Sequence, residues 1–362
     1  MPIMTLAAQA VLLSSVIAPP EATPMKIDMT AKAVQRAESP LFSVGSDRAM
    51  IFLREEHQRD LMTLQKACGF KYLRCHGIFN EEMKTVTRNA DGSLTYDWTN
   101  VDAFIDQLAK AKLKPFVEFG FMPEPLASGP QTIFWWRGNV TPPKSHQEWA
   151  DYITAFLRHQ IAKRGLKEVR SWYFEVWNEP NLDGFWTGKL EGYYKLYESS
   201  ARAVKAVDPQ LRVGGPATAG MGWIPELLTY CRDNKVPLDF IASHSYAAYQ
   251  GFLDEKGEGG GTVLATNPES LISEFSRARE DINKSAFPKI PFFITEWGPS
   301  YSPRDPIHDS YVCAPFILEK VRQCERVVDG ISYWAFSDQF EEPGPPNEPF
   351  HGGFGFMNVD GL

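Results

Sequence analysis

Phe174-Glu175-Val176-Trp177-Asn178-Glu179-Pro180-Asn181 and Phe292-Phe293-Ile294-Thr295-Glu296-Trp297-Gly298 are built alike. Each is an apolar, aromatic run of strand length that ends in a carboxylate and is then stopped by Pro or Gly. Such a run reads as a strand buried on both faces with a glutamate at its lip. Two lips this far apart in sequence meet only when their strands belong to one closed sheet whose tips open on the same pocket. Working outward, strand-like runs recur at Leu41 to Val44, Phe70 to Cys75, Pro115 to Phe119, Trp172 to Trp177, Arg212 to Gly215, Asp239 to Ser243, Pro291 to Glu296 and Gly330 to Phe336, eight in all. Helical patterns lie between them. Val101, Phe104, Ile105 and Leu108 repeat at helix spacing behind a Thr99 or Asn100 cap, and Ser145-x-x-Glu148 is a capping box ahead of Trp149, Tyr152, Ile153 and Phe156. Gly69 closes the first helix and Pro209 follows the fourth. Strands in strict alternation with helices predict an α/β fold, a right-handed (β/α)8 barrel.

The barrel is expected over 41–362, and 362 residues at 43% hydrophobic content suffice for its core. Residues 1–24 read as a leader or disordered segment: the apolar run 5–18 is too short to span a bilayer and lacks the basic start of a secretory signal. The compartment is left open by this. Residues 25–40 are too long for a lead-in and read as a candidate strand of an accessory β region. No amphipathic run follows the eighth strand, so the last outer helix is expected to be missing. The loops after the third strand, with Phe134, Trp135 and Trp136, and after the eighth, from Glu341 to Phe354, are long and sit at strand C-terminal ends, where barrels carry their active face.

Charge and composition exclude some classes. With 37 Lys+Arg against 45 Asp+Glu, a net charge of -8 and no long basic run, nothing tracks a nucleic-acid backbone. The five cysteines, Cys68, Cys75, Cys231, Cys313 and Cys324, are scattered without a C-x-x-C pair and read as free and mostly buried. There is no H-x-H or H-E-x-x-H, so no metal site is expected. Aromatic residues at 13%, many beside Gly, Pro or polar neighbours, offer faces on which sugar rings stack.

Paired carboxylates in a pocket are the equipment of glycoside hydrolysis. Glu179, held at a strand tip with Pro180 fixing the turn, is the expected acid/base, and Glu296 the nucleophile. Asn178 is placed to hydrogen-bond the sugar 2-hydroxyl. Thr295 is expected to point away from the pocket, because strand side chains alternate. By the same alternation Arg74 and His76 share a face, Arg74 to hold Glu296 ionised and His76 to bind a sugar hydroxyl. His244 and Tyr246 form a second alternating pair, His244 toward substrate and Tyr246 toward the nucleophile. Trp334 is a candidate stacking floor, and Asp338, Glu341 and Glu342 are candidate acceptors of sugar hydroxyls.

At these residues the chain resembles glycoside hydrolase family 39, a retaining family of barrels with the acid/base after strand four and the nucleophile after strand seven. The resemblance rests on the ordered set Val44-Gly45-Ser46, Arg74-Cys75-His76-Gly77, Trp177-Asn178-Glu179-Pro180-Asn181, His244-Ser245-Tyr246, Thr295-Glu296-Trp297-Gly298 and Trp334-Ala335-Phe336-Ser337-Asp338 with Glu341-Glu342, from about Phe42 to Leu362. It implies a retaining β-xylosidase that removes terminal β-D-xylose from xylo-oligosaccharides or aryl glycosides without a cofactor. It also implies a C-terminal β-sandwich, of which this chain carries no sign. The family includes α-L-iduronidases, known for a Lys two residues after the sixth-strand His; Tyr246 stands there, which favours a neutral sugar. An arabinosidase, a β-glucosidase or a sugar-binding barrel without turnover are the competing readings.

Overall fold

Eight parallel strands close on themselves in sequence order in the computed structural model, which describes residues 28–30, 38–249, 263–264, 267, 269–303, 305–344 and 353–362. They are β1 (Ser43–Arg48), β2 (Tyr72–His76), β3 (Lys114–Phe119), β4 (Tyr173–Val176), β5 (Arg212–Ala219), β6 (Phe240–Tyr246), β7 (Phe292–Gly298) and β8 (Gly330–Tyr333). Each pairs with its neighbours in sequence, and β1 closes the ring against β8. The expected (β/α)8 barrel is therefore present. Its outer layer is α1 (Glu55–Cys68), α2 (Thr99–Lys110), α3 (His146–Arg164), α4 (Lys189–Val207), α5 (Ile224–Asn234), α6 (Ser270–Lys284) and α7 (Cys313–Cys324). Among the described residues no helix follows β8, and no helix is long and apolar enough to cross a membrane.

Local chemistry sets the element ends. Gly69 takes a left-handed φ of 76° and its N–H closes α1 on the Gln65 carbonyl. Ser145 accepts from the Glu148 N–H and caps α3. The expected Thr99 or Asn100 cap of α2 is replaced by Asp97, whose carboxylate accepts from the Thr99 N–H at 2.9 Å and its hydroxyl at 2.6 Å. An aspartate one turn-residue earlier outcompetes a hydroxyl for those donors.

Met1–Arg36 is a unit separate from Ala37–Leu362. Of it, residues 28–30 are described and form a turn in which Thr30 donates to Asp28. The expected leader over 1–24 lies outside the described residues, as does most of the accessory strand over 25–40; residues 39–41 form a single 3-10 turn.

Side chains fill the barrel in layers. At the N-terminal end Phe42, Phe116, Tyr173, Phe240 and Phe293 form an aromatic plug with Tyr72 against it, Phe42 stacked on Phe293 with centroids 4.4 Å apart. Above the plug the interior turns charged. The pairing of β6 with β7 steps from Ser243 opposite Ile294 to His244 opposite Glu296, which leaves Thr295 as the extra residue of a bulge. Thr295 therefore does not point away: its hydroxyl donates to buried Glu175 at 2.7 Å, so Thr295 and Glu296 both face the interior. Strict alternation fails here because a bulge inserts one residue into the period of two.

Candidate active site

The lip of β4 is held in a backbone conformation that few residues adopt. Trp177 and Glu179 have φ of 73° and 45°, in the left-handed region that disfavours residues with a Cβ. Fixed contacts hold the turn. The Trp177 indole N–H donates to the Phe185 carbonyl at 2.8 Å and its ring meets Trp186 at 4.8 Å, while the Glu179 N–H donates to the Ala217 carbonyl on β5 at 2.8 Å. With Trp177 anchored outside, Asn178 and Glu179 turn to the pocket.

Arg74, fully buried on β2, ties the opposite sides of the ring together. Its guanidinium donates to Glu175 at 2.6 Å, to Glu296 Oε1 at 2.7 Å and to Asn178 Oδ1 at 2.8 Å, and lies 3.0 Å from Glu118. The expected Arg74 to Glu296 contact is thus made. Glu118 and Glu175 are functional neighbours that the sequence reading missed, although each stands as a lone charge inside an apolar strand, where an unpaired carboxylate is rarely tolerated.

Tyr246 donates its hydroxyl to Glu296 Oε2 at 3.0 Å. His244 Nδ1 lies 3.0 Å from Glu179 Oε1 and 3.6 Å from Glu296 Oε2. One atom from each of Glu179, His244 and Glu296 falls within 4.8 Å of the others. His76 bonds Glu118 through Nδ1 at 2.8 Å, and its Nε2 sits 3.4 Å from Glu342 and 3.7 Å from Glu296. Trp334 lies against the His76 ring at 4.6 Å. Gly45 makes room for that indole: a Cβ there would stand 2.6 Å from the Trp334 ring. Phe134 stacks on His76 at 5.8 Å, and the Trp135 N–H donates to the Glu342 carbonyl at 2.8 Å, so the loop after β3 is fastened to the loop after β8.

Glu341 and Glu342 part company. Both oxygens of Glu341 are taken by Arg54, at 2.6 and 3.0 Å, and Oε2 also by Arg48 at 2.8 Å, so Glu341 braces the loop rather than facing a ligand as the sequence reading expects. The chain turns directly after Glu341, the Gly344 N–H closing on the Glu341 carbonyl at 3.1 Å, and Glu342 is the one of the two that reaches His76. Asp338 is likewise engaged, accepting from the Gly355 N–H at 2.6 Å.

Electrostatics separates the two carboxyls. Burial, and then repulsion from Glu296, push Glu179 well above the usual carboxylate range. Burial pushes Glu296 the same way, but the charges of Arg74 and His76 and the hydrogen bond from the Tyr246 hydroxyl outweigh it and hold Glu296 below its ordinary value. Burial depresses His244 to about 3, so it is neutral near pH 7, and the positive charge opposite Glu296 resides on Arg74 and His76. His76 is held protonated well above its usual range: burial opposes the charge, but the Glu118 carboxylate in contact with it wins. Burial raises Glu342 to about 7 against the pull of His76. The result is a protonated carboxyl facing an ionised one across a pocket.

A closed parallel barrel whose fourth and seventh strands present such a pair has the architecture of the barrel glycosidases. The chain belongs to the family described as Glycosyl hydrolases family 39, whose pattern matches residues 25–362. It is 46% identical to a beta-xylosidase of Caldicellulosiruptor saccharolyticus over 88% of this chain and 64% of the relative, and 42% identical to one of Geobacillus stearothermophilus over 89% and 65%. The crystal structure of a monomeric beta-xylosidase from Caulobacter crescentus CB15 superposes with a TM-score of 0.85 at 48% identity, covering 90% of this chain and 67% of that one. The chain thus spans about two thirds of the length of these relatives.

Proposed function

We propose that the protein is a retaining glycoside hydrolase that removes terminal β-D-xylose from xylo-oligosaccharides, with Glu179 as acid/base and Glu296 as nucleophile. The observation that carries this is the opposed pair itself: one oxygen of each lies within 4.8 Å of the other, and their protonation states are pushed apart. Retaining enzymes hold the two carboxyls about 5 to 5.5 Å apart, whereas inverting ones need about 6.5 to 9.5 Å for a water. Glu296 attacks the anomeric carbon while Glu179 protonates the leaving oxygen. Once Glu296 is an ester, its repulsion of Glu179 is gone, and Glu179 takes a proton from the water that releases the sugar. Arg74 keeps Glu296 ionised and fixes Asn178 through Oδ1, which orients the side-chain amide for the 2-hydroxyl. His76 and Glu342 are the groups for the more distal hydroxyls, over a Trp334 floor.

A neutral sugar fits the charge balance. Arg74 and His76 are both matched by carboxylates, and the position two residues after His244 is Tyr246, bonded to Glu296. The beta-xylosidase relatives support the pentose assignment.

Turnover of an aryl β-xyloside by the wild type, Glu179→Ala and Glu296→Ala tests the assignment. Both variants should be severely impaired; azide should rescue Glu296→Ala with an inverted product and Glu179→Ala with configuration retained. An inverted product from the wild type would overturn the nucleophile assignment. Binding of xylo-oligosaccharides without any hydrolysis would replace the enzyme by a sugar-binding barrel, and preference for an aryl arabinoside or glucoside would move the substrate.

A further inference from the structure

Glu179 in the turn after β4, His244 on β6 and Glu296 on β7 come from three parts of the barrel, so no local motif announces what they share. The His244 Nδ1 lies 3.0 Å from Glu179 Oε1 and 3.6 Å from Glu296 Oε2. A tetrahedral zinc ion with bonds of about 2.0 to 2.2 Å holds neighbouring donors roughly 3.3 to 3.6 Å apart. The two observed edges bracket that spacing, and one oxygen of Glu179 lies within 4.8 Å of one oxygen of Glu296, so a carboxylate rotation brings the third edge to the same length. All three side chains are buried and converge on one point.

Glu296 divides its two oxygens in a way that favours such an ion. Oε1 receives the Arg74 N–H at 2.7 Å and faces His76 at 3.7 Å, whereas Oε2 faces His244 and the Tyr246 hydroxyl at 3.0 Å. The resident cations are therefore on the far side of the carboxylate from the point of convergence. One imidazole nitrogen with two carboxylate oxygens is a donor set for borderline metals; calcium and magnesium require six or more oxygens. We propose that this pocket also binds a divalent zinc or copper ion, on Glu179 Oε1, His244 Nδ1 and Glu296 Oε2, with the fourth position left to water, and that the ion and the sugar exclude one another. The ion takes the place of the proton that Glu179 would donate and engages the oxygen that faces the anomeric carbon, so the metal-loaded protein is an inhibited state. The absence of His-rich motifs in the sequence does not bear on this, because the donors meet only across the barrel.

Calorimetric titration with zinc sulfate, on the wild type and on Glu179→Gln and His244→Asn, decides the matter, with thermal melts confirming that each variant is folded. His159→Asn serves as background, because His159 lies outside the pocket and pairs with Asp102 at 2.9 Å, so it controls for zinc taken up by a histidine elsewhere on the protein. The expected result is one binding event retained in His159→Asn, weakened about 10-fold or more in each pocket variant and weakened by excess xylose; zinc should also inhibit xyloside turnover competitively, reversibly by EDTA. Affinity unchanged in both pocket variants, or lost in His159→Asn, overturns the proposal. Because binding is read without turnover, a protein that binds zinc here but cleaves nothing would sink the glycosidase reading and leave this one standing.

Discussion

The two ends of the barrel interior are filled on opposite principles by the same strands. β2 contributes Tyr72 to the plug and then Arg74 and His76 above it; β3 contributes Phe116 and then Glu118; β4 Tyr173 and then Glu175; β7 Phe293 and then Thr295 and Glu296. Rings at the lower end bury area at roughly 1.5 to 3 kcal/mol each. At the upper end, charges removed from water are tolerated because each meets an opposite charge or a donor, and their worth lies in what they do to Glu179 and Glu296. Moving up two residues along one strand thus exchanges stability for chemistry.

The largest contrast should come from one variant at each end. Glu296→Ala is predicted to lower kcat by ~10⁴-fold or more while leaving the denaturation midpoint almost unmoved, since Arg74 keeps Glu118 and Glu175 as its partners. Phe240→Ala should cost about 3 to 5 kcal/mol in denaturant unfolding with kcat per folded molecule nearly intact. Loss of turnover in Phe240→Ala at temperatures where it is folded would show that the plug does more than support the ring.

Arg74 is the cation of the charged layer directly above the plug. Arg74→Met strands Glu175, Glu118 and Glu296 without their cation, and should destabilise by about 3 to 5 kcal/mol and abolish most turnover. Glu175→Gln added to Arg74→Met should recover stability without recovering turnover, because Glu296 still lacks its partner; a double variant no more stable than the single one would refute the pairing. Lys should substitute poorly, since one ammonium cannot reach Glu175, Glu296 and Asn178 together.

His76 sharpens the comparison through pH. The proposed mechanism needs Glu296 ionised and Glu179 protonated, so the acid limb of kcat/KM should follow Glu296, lowered, and the alkaline limb Glu179, raised. The His76 charge lowers both groups. His76→Asn should therefore move both limbs to higher pH and cut the rate at acid pH most. Limbs that stay in place would mean that His76 is neutral.

The barrel was legible because its signals are local: eight apolar runs bounded by turn residues, with helical spacing between. β1 was the least so, read over 41–44 but running over Ser43–Arg48, because Ser43, Gly45, Ser46, Asp47 and Arg48 are buried without being apolar. Glu179 and Glu296 could be read from strand-end position, and so could the partnership of Arg74 and Tyr246 with Glu296. Glu118 and Glu175 could not be assigned a partner, because the guanidinium that holds them comes from another strand. The fates of Glu341 and Glu342 depend on which way a loop turns, and the ion pairs with Arg48 and Arg54 decide it. The inward Thr295 depends on a bulge, which is a property of two paired strands and is invisible in either alone.

That bulge yields the smallest and most specific prediction. By alternation Thr295 would lie on the outer face of β7 beneath the helices, where Thr295→Val would be neutral or stabilising, since it replaces a hydroxyl by a methyl in an apolar layer. With the bulge, the same change removes the donor to Glu175 Oε1 and leaves a buried carboxylate oxygen unsatisfied, which should cost about 1 to 3 kcal/mol. Turnover should fall only slightly, because Arg74 still grips Glu175 and Glu296 from its own strand. Denaturant titration of the wild type, Thr295→Val, Glu175→Gln and the double variant separates the cases. If the two losses are less than additive, Thr295 and Glu175 share one interaction inside the barrel. If Thr295→Val is neutral, the strand alternates, and the carboxylate of Glu296 is presented by a geometry other than the one described.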